Sequence, residues 1–246
     1  MTADSAPPLA LLCAVPQEAA GLLAALPGAR EEVIGRKWAF RGVLDGVEVI
    51  VLPTGMGKTN AAQAATALLE TRAVRGVVGF GIAGAYPGSG LEVGGVALAS
   101  EAVYADEGVL APDGWLSVEE IGIPLLERDG IRRFNHFPLD PVRVEQARSA
   151  LEAAGIRVRV GPALTVSACS GTTSRGRELA QRHGALTEGM EGAALAHVCA
   201  LYDVPFLELR GISNPVEDRD LTRWRIAEAA EAAQRAARVL VRAWTD

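Results

Sequence analysis

Residues 187–217 read T-E-G-M-E-G-A-A-L-A-H-V-C-A-L-Y-D-V-P-F-L-E-L-R-G-I-S-N-P-V-E, and this stretch decides the fold class. A helix opens at Met190 and Glu191, with Ala194, Leu195, Val198, Leu201 and Tyr202 returning at helical spacing. Asp203 and Pro205 end it. The apolar run V-P-F-L-E-L-R-G-I then has the length and composition of a buried strand, closing at Ser213-Asn214-Pro215. The pattern places a carboxylate, Glu191, at a helix N-terminus and a carboxamide, Asn214, at the C-terminal end of the next strand. In open α/β sheets ligands bind outside the carboxyl ends of strands, so Asn214 is a candidate ligand contact.

Working outward, the same alternation recurs. After a polar tail (residues 1–8, expected to be flexible), L-A-L-L-C-A-V is a buried-strand run. It breaks at Pro16 into the short helix Q-E-A-A-G-L-L-A-A-L, which sets Glu18 in a first turn at a strand C-terminus, where the helix dipole alone also favours an acid. Asp45-Gly46 between two alternating runs signals a hairpin. T-G-M-G-K-T-N opens a further helix, but a phosphate-binding G-x-x-x-x-G-K-S/T needs glycine at position 52, which is Leu52. Gly79, Gly81 and Gly84 spell G-x-G-x-x-G, yet A-Y-P-G-S-G follows and cannot open the helix that a dinucleotide site requires. Residues 108–140 are irregular, with Trp115, Phe134 and Phe137 arguing for order. Residues 141–155 form an amphipathic helix, R-V-R-V-G-P-A-L-T-V-S a strand, and the run from Asp218 onward a long Ala-rich C-terminal helix covering one sheet face. The expectation is a single α/β domain over 9–246, a mixed central β-sheet flanked by helices.

Composition narrows the function. The 246 residues carry a net charge of −6, against a nucleic-acid backbone as partner. No apolar run is long enough to span a membrane and the start lacks a signal-peptide pattern, so a cytoplasmic chain is expected. Cys13, Cys169 and Cys199, with His136, His183 and His197, are too scattered for a metal centre or disulfide framework, so neither metal nor cofactor is expected. Cys169 reads as a packed thiol and His197 as a core histidine.

M-E-G-A-A-L-A-H-V-C followed by V-P-F-L-E-L-R-G-I-S-N resembles the signature of the nucleoside phosphorylase and nucleosidase superfamily. D-G-W-L-S-V-E-E-I-G-I-P and F-P-L-D are most similar to its futalosine hydrolase family. That resemblance implies a nucleoside-phosphorylase-like fold, a small-molecule nucleoside and water as partners, and a homo-oligomer, dimer or larger. It implies release of hypoxanthine from futalosine, a 5′-modified inosine of menaquinone biosynthesis. C-A-V-P-Q-E-A matches the segment whose glutamate holds the attacking water, which implies that role for Glu18. By the same resemblance Glu191 takes the ribose hydroxyls and Asn214 the base. Met190 packs against the sugar, Gly189 and Ile82 are substrate-binding positions, Met56 faces the 5′ side, and Gly171 and Thr172 flank the purine without the aromatic many members carry. Arg133 and His136 are candidates for a substrate carboxylate, with a surface arginine and a packed histidine the plainer readings.

Two chemical choices follow. Adenine-cleaving relatives carry an aspartate where Asn214 stands, matched to an exocyclic amine. A carboxamide offers both NH2 and C=O and suits a 6-oxopurine. Phosphorylases of the family carry arginines in the loop after the first strand and in the glycine-rich segment; P-Q-E-A-A-G and G-F-G-I-A-G-A-Y-P-G-S-G have none, which favours water over phosphate. The alternatives are a 6-oxopurine nucleoside phosphorylase, a methylthioadenosine/S-adenosylhomocysteine-type nucleosidase, and an inactive nucleoside-binding protein. Asp220 reads as a helix cap, and Glu208 with Arg210 as a buried pair beside the site.

Overall fold

In a computed structural model that describes residues 6–244, the chain runs β1 (Leu9–Cys13), α1 (Ala20–Ala24), β2 (Arg30–Ile34), β3 (Lys37–Leu44), β4 (Val47–Pro53), α2 (Lys58–Thr71), β5 (Gly76–Ala85) and β6 (Val96–Tyr104). There follow β7 (Gly108–Ala111), β8 (Gly114–Ser117), α3 (Val118–Ile121), β9 (Leu126–Arg128), β10 (Ile131–Arg133) and β11 (His136–Pro138). The last part is α4 (Pro141–Ala153), β12 (Val158–Thr165), α5 (Thr173–His183), β13 (Thr187–Gly189), α6 (Gly192–Leu201), β14 (Phe206–Pro215) and α7 (Ile226–Ala243). Most of the expected tail, residues 1–5, lies outside the described residues.

Ten strands form one mixed sheet in the order β11-β6-β12-β13-β5-β1-β4-β3-β2, with β14 bonded to both β5 and β6. Parallel pairs (β1 with β4 and β5, β14 with β5, β12 with β6 and β13) lie in its middle. Because β13 also pairs antiparallel with β5 and β14 with β6, the strands β5-β14-β6-β12-β13 close into a ring. Closure was not expected from the sequence; it depends on pairings far apart in the chain, which local periodicity does not carry.

The parallel strands are buried on both faces, as their unbroken apolar runs require: every residue of Leu9–Cys13 is buried. Each fully buried leucine there stabilises the fold by roughly 1.5–3 kcal/mol. Helices cover both faces. At Gly79 a side chain would meet Leu195 of α6, whereas at Gly211 it would lie 2.0 Å from the Ala229 carbonyl of α7. The alanines of α7 (Ala229, Ala232, Ala233, Ala236 and Ala237 among them) are buried, which lets its backbone approach the sheet.

All three glycines of the G-x-G-x-x-G run lie inside β5. Two expectations are corrected in detail. Residues 108–140 are not irregular but carry two hairpins, a one-turn helix and an edge strand. Ser117 and Glu120 form a reciprocal cap on that helix, and Asn135 is buried beneath the segment. The C-terminal helix begins at Ile226, since Asp220 caps a separate turn at Leu221–Arg223, accepting from Thr222 N at 3.0 Å. The strand over Asn214 closes at Pro215, as expected. The Asp45-Gly46 hairpin forms as expected, both residues at positive φ (51° and 84°).

Candidate active site

Two carboxylates, Glu191 and Glu208, bind the guanidinium of Arg210 in mid-β14, and a third, Glu18, lies beside it after the carboxyl end of β1. Glu18 sits in a single 3₁₀ turn, Pro16–Ala19, forced by Pro16 directly after β1. Its Oε2 accepts from Ala14 N at 2.9 Å and Val15 N at 3.1 Å, and its Oε1 from Ile82 N at 2.9 Å. Only 4% of the residue is exposed. Three neutral backbone donors thus fix a buried carboxylate, and Oε1 keeps acceptor capacity. Gly81 makes the approach possible: a Cβ there would lie 2.5 Å from Glu18 Oε1 and 3.1 Å from Arg210 Nη1.

Glu191 is the cap residue of α6, yet its side chain makes no capping bond. Thr165 Oγ1 accepts from Ala193 N at 2.7 Å instead, and this leaves the Glu191 carboxylate free to turn outward. Glu191 Oε1 accepts from Gly57 N at 2.9 Å, in the turn before α2, and Oε2 accepts from Arg210 Nη1 at 3.3 Å. The run that mimics a phosphate loop therefore has a use: it supplies a backbone N–H to a carboxylate. Lys58 faces elsewhere, bound to Asp106 and, at 3.0 Å, to Glu107.

Arg210, 3% exposed, also donates to Glu208 Oε1 at 2.9 Å and to the Ile82 carbonyl at 3.4 Å. Burial opposes its charge, but Glu208, Glu191 and Glu18 outweigh that and raise its pKa, so it stays cationic. Desolvation pushes Glu208 upward, with Arg210 opposing. The sequence reading of a buried Glu208–Arg210 pair holds; it missed that the same guanidinium reaches Glu191 and so belongs to the site.

The register of β14 slips at Ser213, so that Ile212 faces Ala83 while Asn214 faces Gly84. Such a bulge re-aims a side chain. Asn214 Oδ1 accepts from Ser213 Oγ at 2.7 Å and Nδ2 donates to the Pro215 carbonyl at 3.0 Å, leaving one N–H and one lone pair to address a ligand. Across the strands lies Glu188, buried and given no role by the sequence reading. Its oxygens accept from Tyr86 OH (2.9 Å), Ser170 Oγ (2.7 Å) and Ser170 N (2.7 Å). A charged residue inside the short strand T-E-G was the available signal.

Ile82, Glu18, Glu191 and Arg210 are linked directly, and Gly189 adjoins the Arg210 guanidinium (3.5 Å from a Cβ placed there). Met190 is half-buried immediately before Glu191. Met56, in the turn that binds Glu191, is 62% exposed. Gly171 and Thr172 lie on the exposed turn after Ser170, where Thr172 Oγ1 accepts from Arg175 N at 3.3 Å and caps α5. His136 is exposed rather than packed, bound to Glu101 at 2.9 Å on the edge strand β11, outside this network. His197 stacks on Phe137 with centroids 4.6 Å apart, as a core histidine should. Cys169 is corrected: it lies at the surface. Desolvation and the neighbouring Glu188 push its thiol up to about 11, so no thiolate forms near neutral pH.

Residues 8–244 match the model of the phosphorylase superfamily. The chain belongs to that superfamily. Among its curated relatives, the futalosine hydrolase of Thermus thermophilus is 42% identical over 82% of this chain and 85% of that protein. The futalosine hydrolase of Streptomyces coelicolor is 35% identical over 91% of each. A solved structure, the S-adenosylhomocysteine nucleosidase of Streptococcus pyogenes in complex with 5-methylthiotubericidin, superposes with a TM-score of 0.85 at 21% identity. It covers 99% of this chain and 100% of that one, and shows the shared superfamily fold.

Proposed function

We propose that this chain is a nucleosidase that hydrolyses the N-glycosidic bond of futalosine, releasing hypoxanthine and dehypoxanthine futalosine in menaquinone biosynthesis. The observation that carries the reading is the setting of Glu18. A buried carboxylate, locked by three backbone N–H groups beside Ile82, occupies the place where a phosphate nucleophile would need cations. The guanidinium at hand, Arg210, is already bound to two carboxylates. At about 4 Å and an effective dielectric near 20, each phosphate charge would meet roughly 4 kcal/mol of repulsion from one carboxylate. Water meets none.

In the step that follows, a water oxygen attacks C1′ of the ribose as Glu18 accepts its proton. The C1′–N9 bond breaks and its electron pair leaves with the purine. Glu191 receives the ribose hydroxyls and places negative charge beneath the sugar as it becomes cationic, with Met190 against the sugar face. Arg210 holds Glu191 in place. Asn214 donates to the 6-oxygen and accepts from N7–H once that nitrogen has taken a proton from solvent. Met56 and the hairpins over 108–133 face the 5′ substituent. The hairpins expose Leu110 (87%) and Ile131 (58%), and the link between them Ile123 (66%), which supports a homo-oligomer whose neighbour covers them. Residues 9–246 act as one cytoplasmic domain.

The test is hypoxanthine release from futalosine and from inosine, each with and without phosphate, followed by chromatography. Release from futalosine independent of phosphate is expected. Ribose 1-phosphate from inosine would replace the reading with a phosphorylase, and no release from either substrate alongside adenine release from methylthioadenosine would replace it with an adenine nucleosidase. A second expectation concerns the approach at Gly81. Gly81→Ala should push the Glu18 carboxylate aside and lower kcat by about 10²-fold, since misplacements near 1 Å have that effect. Unchanged kcat with a normal melting curve would mean that the Glu18 position is not critical.

A further inference from the structure

We propose that Glu188 is a specificity-determining residue that reads the N1–H of a 6-oxopurine, beside Asn214 reading its 6-oxygen and N7. The proposal rests on the 6-oxopurine reading above and adds the group that selects against 6-aminopurines.

Three facts carry it. Asn214, Gly84 and Glu188 occupy one row across three bonded strands: Asn214 of β14 and Glu188 of β13 both pair with Gly84 of β5. The glycine lets Val216 and two polar side chains close in on one spot: a Cβ at Gly84 would lie 3.4 Å from Asn214 Nδ2, 3.7 Å from Glu188 Cγ and 2.8 Å from Val216 Cγ2. The two flanking residues stand roughly 9–10 Å apart at the backbone, two strand spacings, and their side chains lean together, so both can reach the polar edge of one purine.

The second fact is the choice of a carboxylate. Glu188 is 5% exposed, and each of its bonds comes from a neutral donor: Tyr86 OH, Ser170 Oγ and Ser170 N. No guanidinium or ammonium is bonded to it among the described residues. Burying a carboxylate without a cation is costly, and tethering the Ser170 turn to β13 would not require the charge. The third fact is capacity. Oε1 takes one hydrogen bond and keeps a lone pair for another.

A purine in its 6-oxo form presents N1–H next to the 6-oxygen; a 6-aminopurine presents a bare N1 lone pair there. A carboxylate binds the first and repels the second. The Ser170 turn continues into Gly171 and Thr172, which places Glu188 directly behind the segment proposed to flank the base.

The experiment measures kcat/KM for hypoxanthine release from futalosine and for adenine release from its 6-amino counterpart, in wild type, Glu188→Gln and Tyr86→Phe. Glu188→Gln should lose about 10²-fold or more on the 6-oxo substrate and much less on the 6-amino one, because an NH2 in the Oε1 position meets the bare N1 while opposing Ser170 N. Tyr86→Phe keeps the carboxylate and should keep the substrate ratio. Equal losses on both substrates, or the same ratio change in Tyr86→Phe, would reduce Glu188 to a structural tether and overturn the proposal. Calorimetric binding of free hypoxanthine and free adenine separates this from the choice of nucleoside. A wild type that cleaves no futalosine but prefers hypoxanthine, with the preference lost in Glu188→Gln, sinks the substrate assignment and sustains Glu188. Equal affinity for the two bases sinks both. If Glu188→Gln does not fold, the wild type decides alone: 1-methylhypoxanthine, which has no N1–H, should bind at least 10²-fold more weakly than hypoxanthine, and equal binding overturns the proposal.

Discussion

Glu18→Gln is expected to lower the turnover of hypoxanthine release by about 10²–10⁴-fold, the range over which a positioned general base contributes. The reason lies in its three donors. A carboxylate accepts at both oxygens, as Glu18 does from Ala14, Val15 and Ile82. A carboxamide cannot. Either its NH2 faces Ile82 N, or it faces the paired amides of Ala14 and Val15. In both cases donors oppose one another in a buried place, at a cost of about 1–3 kcal/mol. The variant therefore loses the proton acceptor and shifts the group that carried it. Single-turnover base release, with KM measured alongside, separates the two effects from weakened substrate binding. Turnover within threefold of wild type would remove Glu18 from the chemistry.

The other large effect is a change of preference rather than a loss. Asn214→Asp should raise the ratio of 6-amino to 6-oxo kcat/KM by about 10⁴-fold, the discrimination that mispaired buried polar groups achieve. Aspartate keeps the oxygen bonded to Ser213 Oγ and loses the donor to the Pro215 carbonyl. It replaces the NH2 with a second acceptor, which repels a 6-oxygen and welcomes an exocyclic amine. The pair of substrates is again futalosine and its 6-amino counterpart, assayed at equal enzyme concentration. An unchanged ratio would show that Asn214 does not face the base edge.

Much of this was legible in the chain before any coordinates. The buried strands announced themselves as short apolar runs, Asp45-Gly46 as a hairpin, and Pro16 as the break that sets Glu18 at a strand end. Both glycine-rich decoys failed on a few residues, Leu52 in one and Tyr86-Pro87 in the other. What stayed hidden depended on distance along the chain. Arg210 reaches Glu191 only because β14 docks beside β5, and Glu188 meets Asn214 only through Gly84, more than a hundred residues earlier. The two hairpins over 108–133 were missed for a different reason: strands of three or four residues are too short for a period to register. Cys169 misled because cysteine is usually buried, and its turn happens to be at the surface.

The ring of strands also sets the order in which the molecule becomes competent. β5 and β6 emerge first, but each keeps an unfilled edge until β14, about 100 residues later, inserts between them. Contacts of such separation form slowly, because the loop must close before the pairing rewards it. A ribosome-bound chain that ends before Phe206 therefore has Glu18 and Glu191 but no Arg210 between them, and two sheet edges open to wrong partners. Catalytic competence and protection from aggregation arrive together, with the docking of one strand.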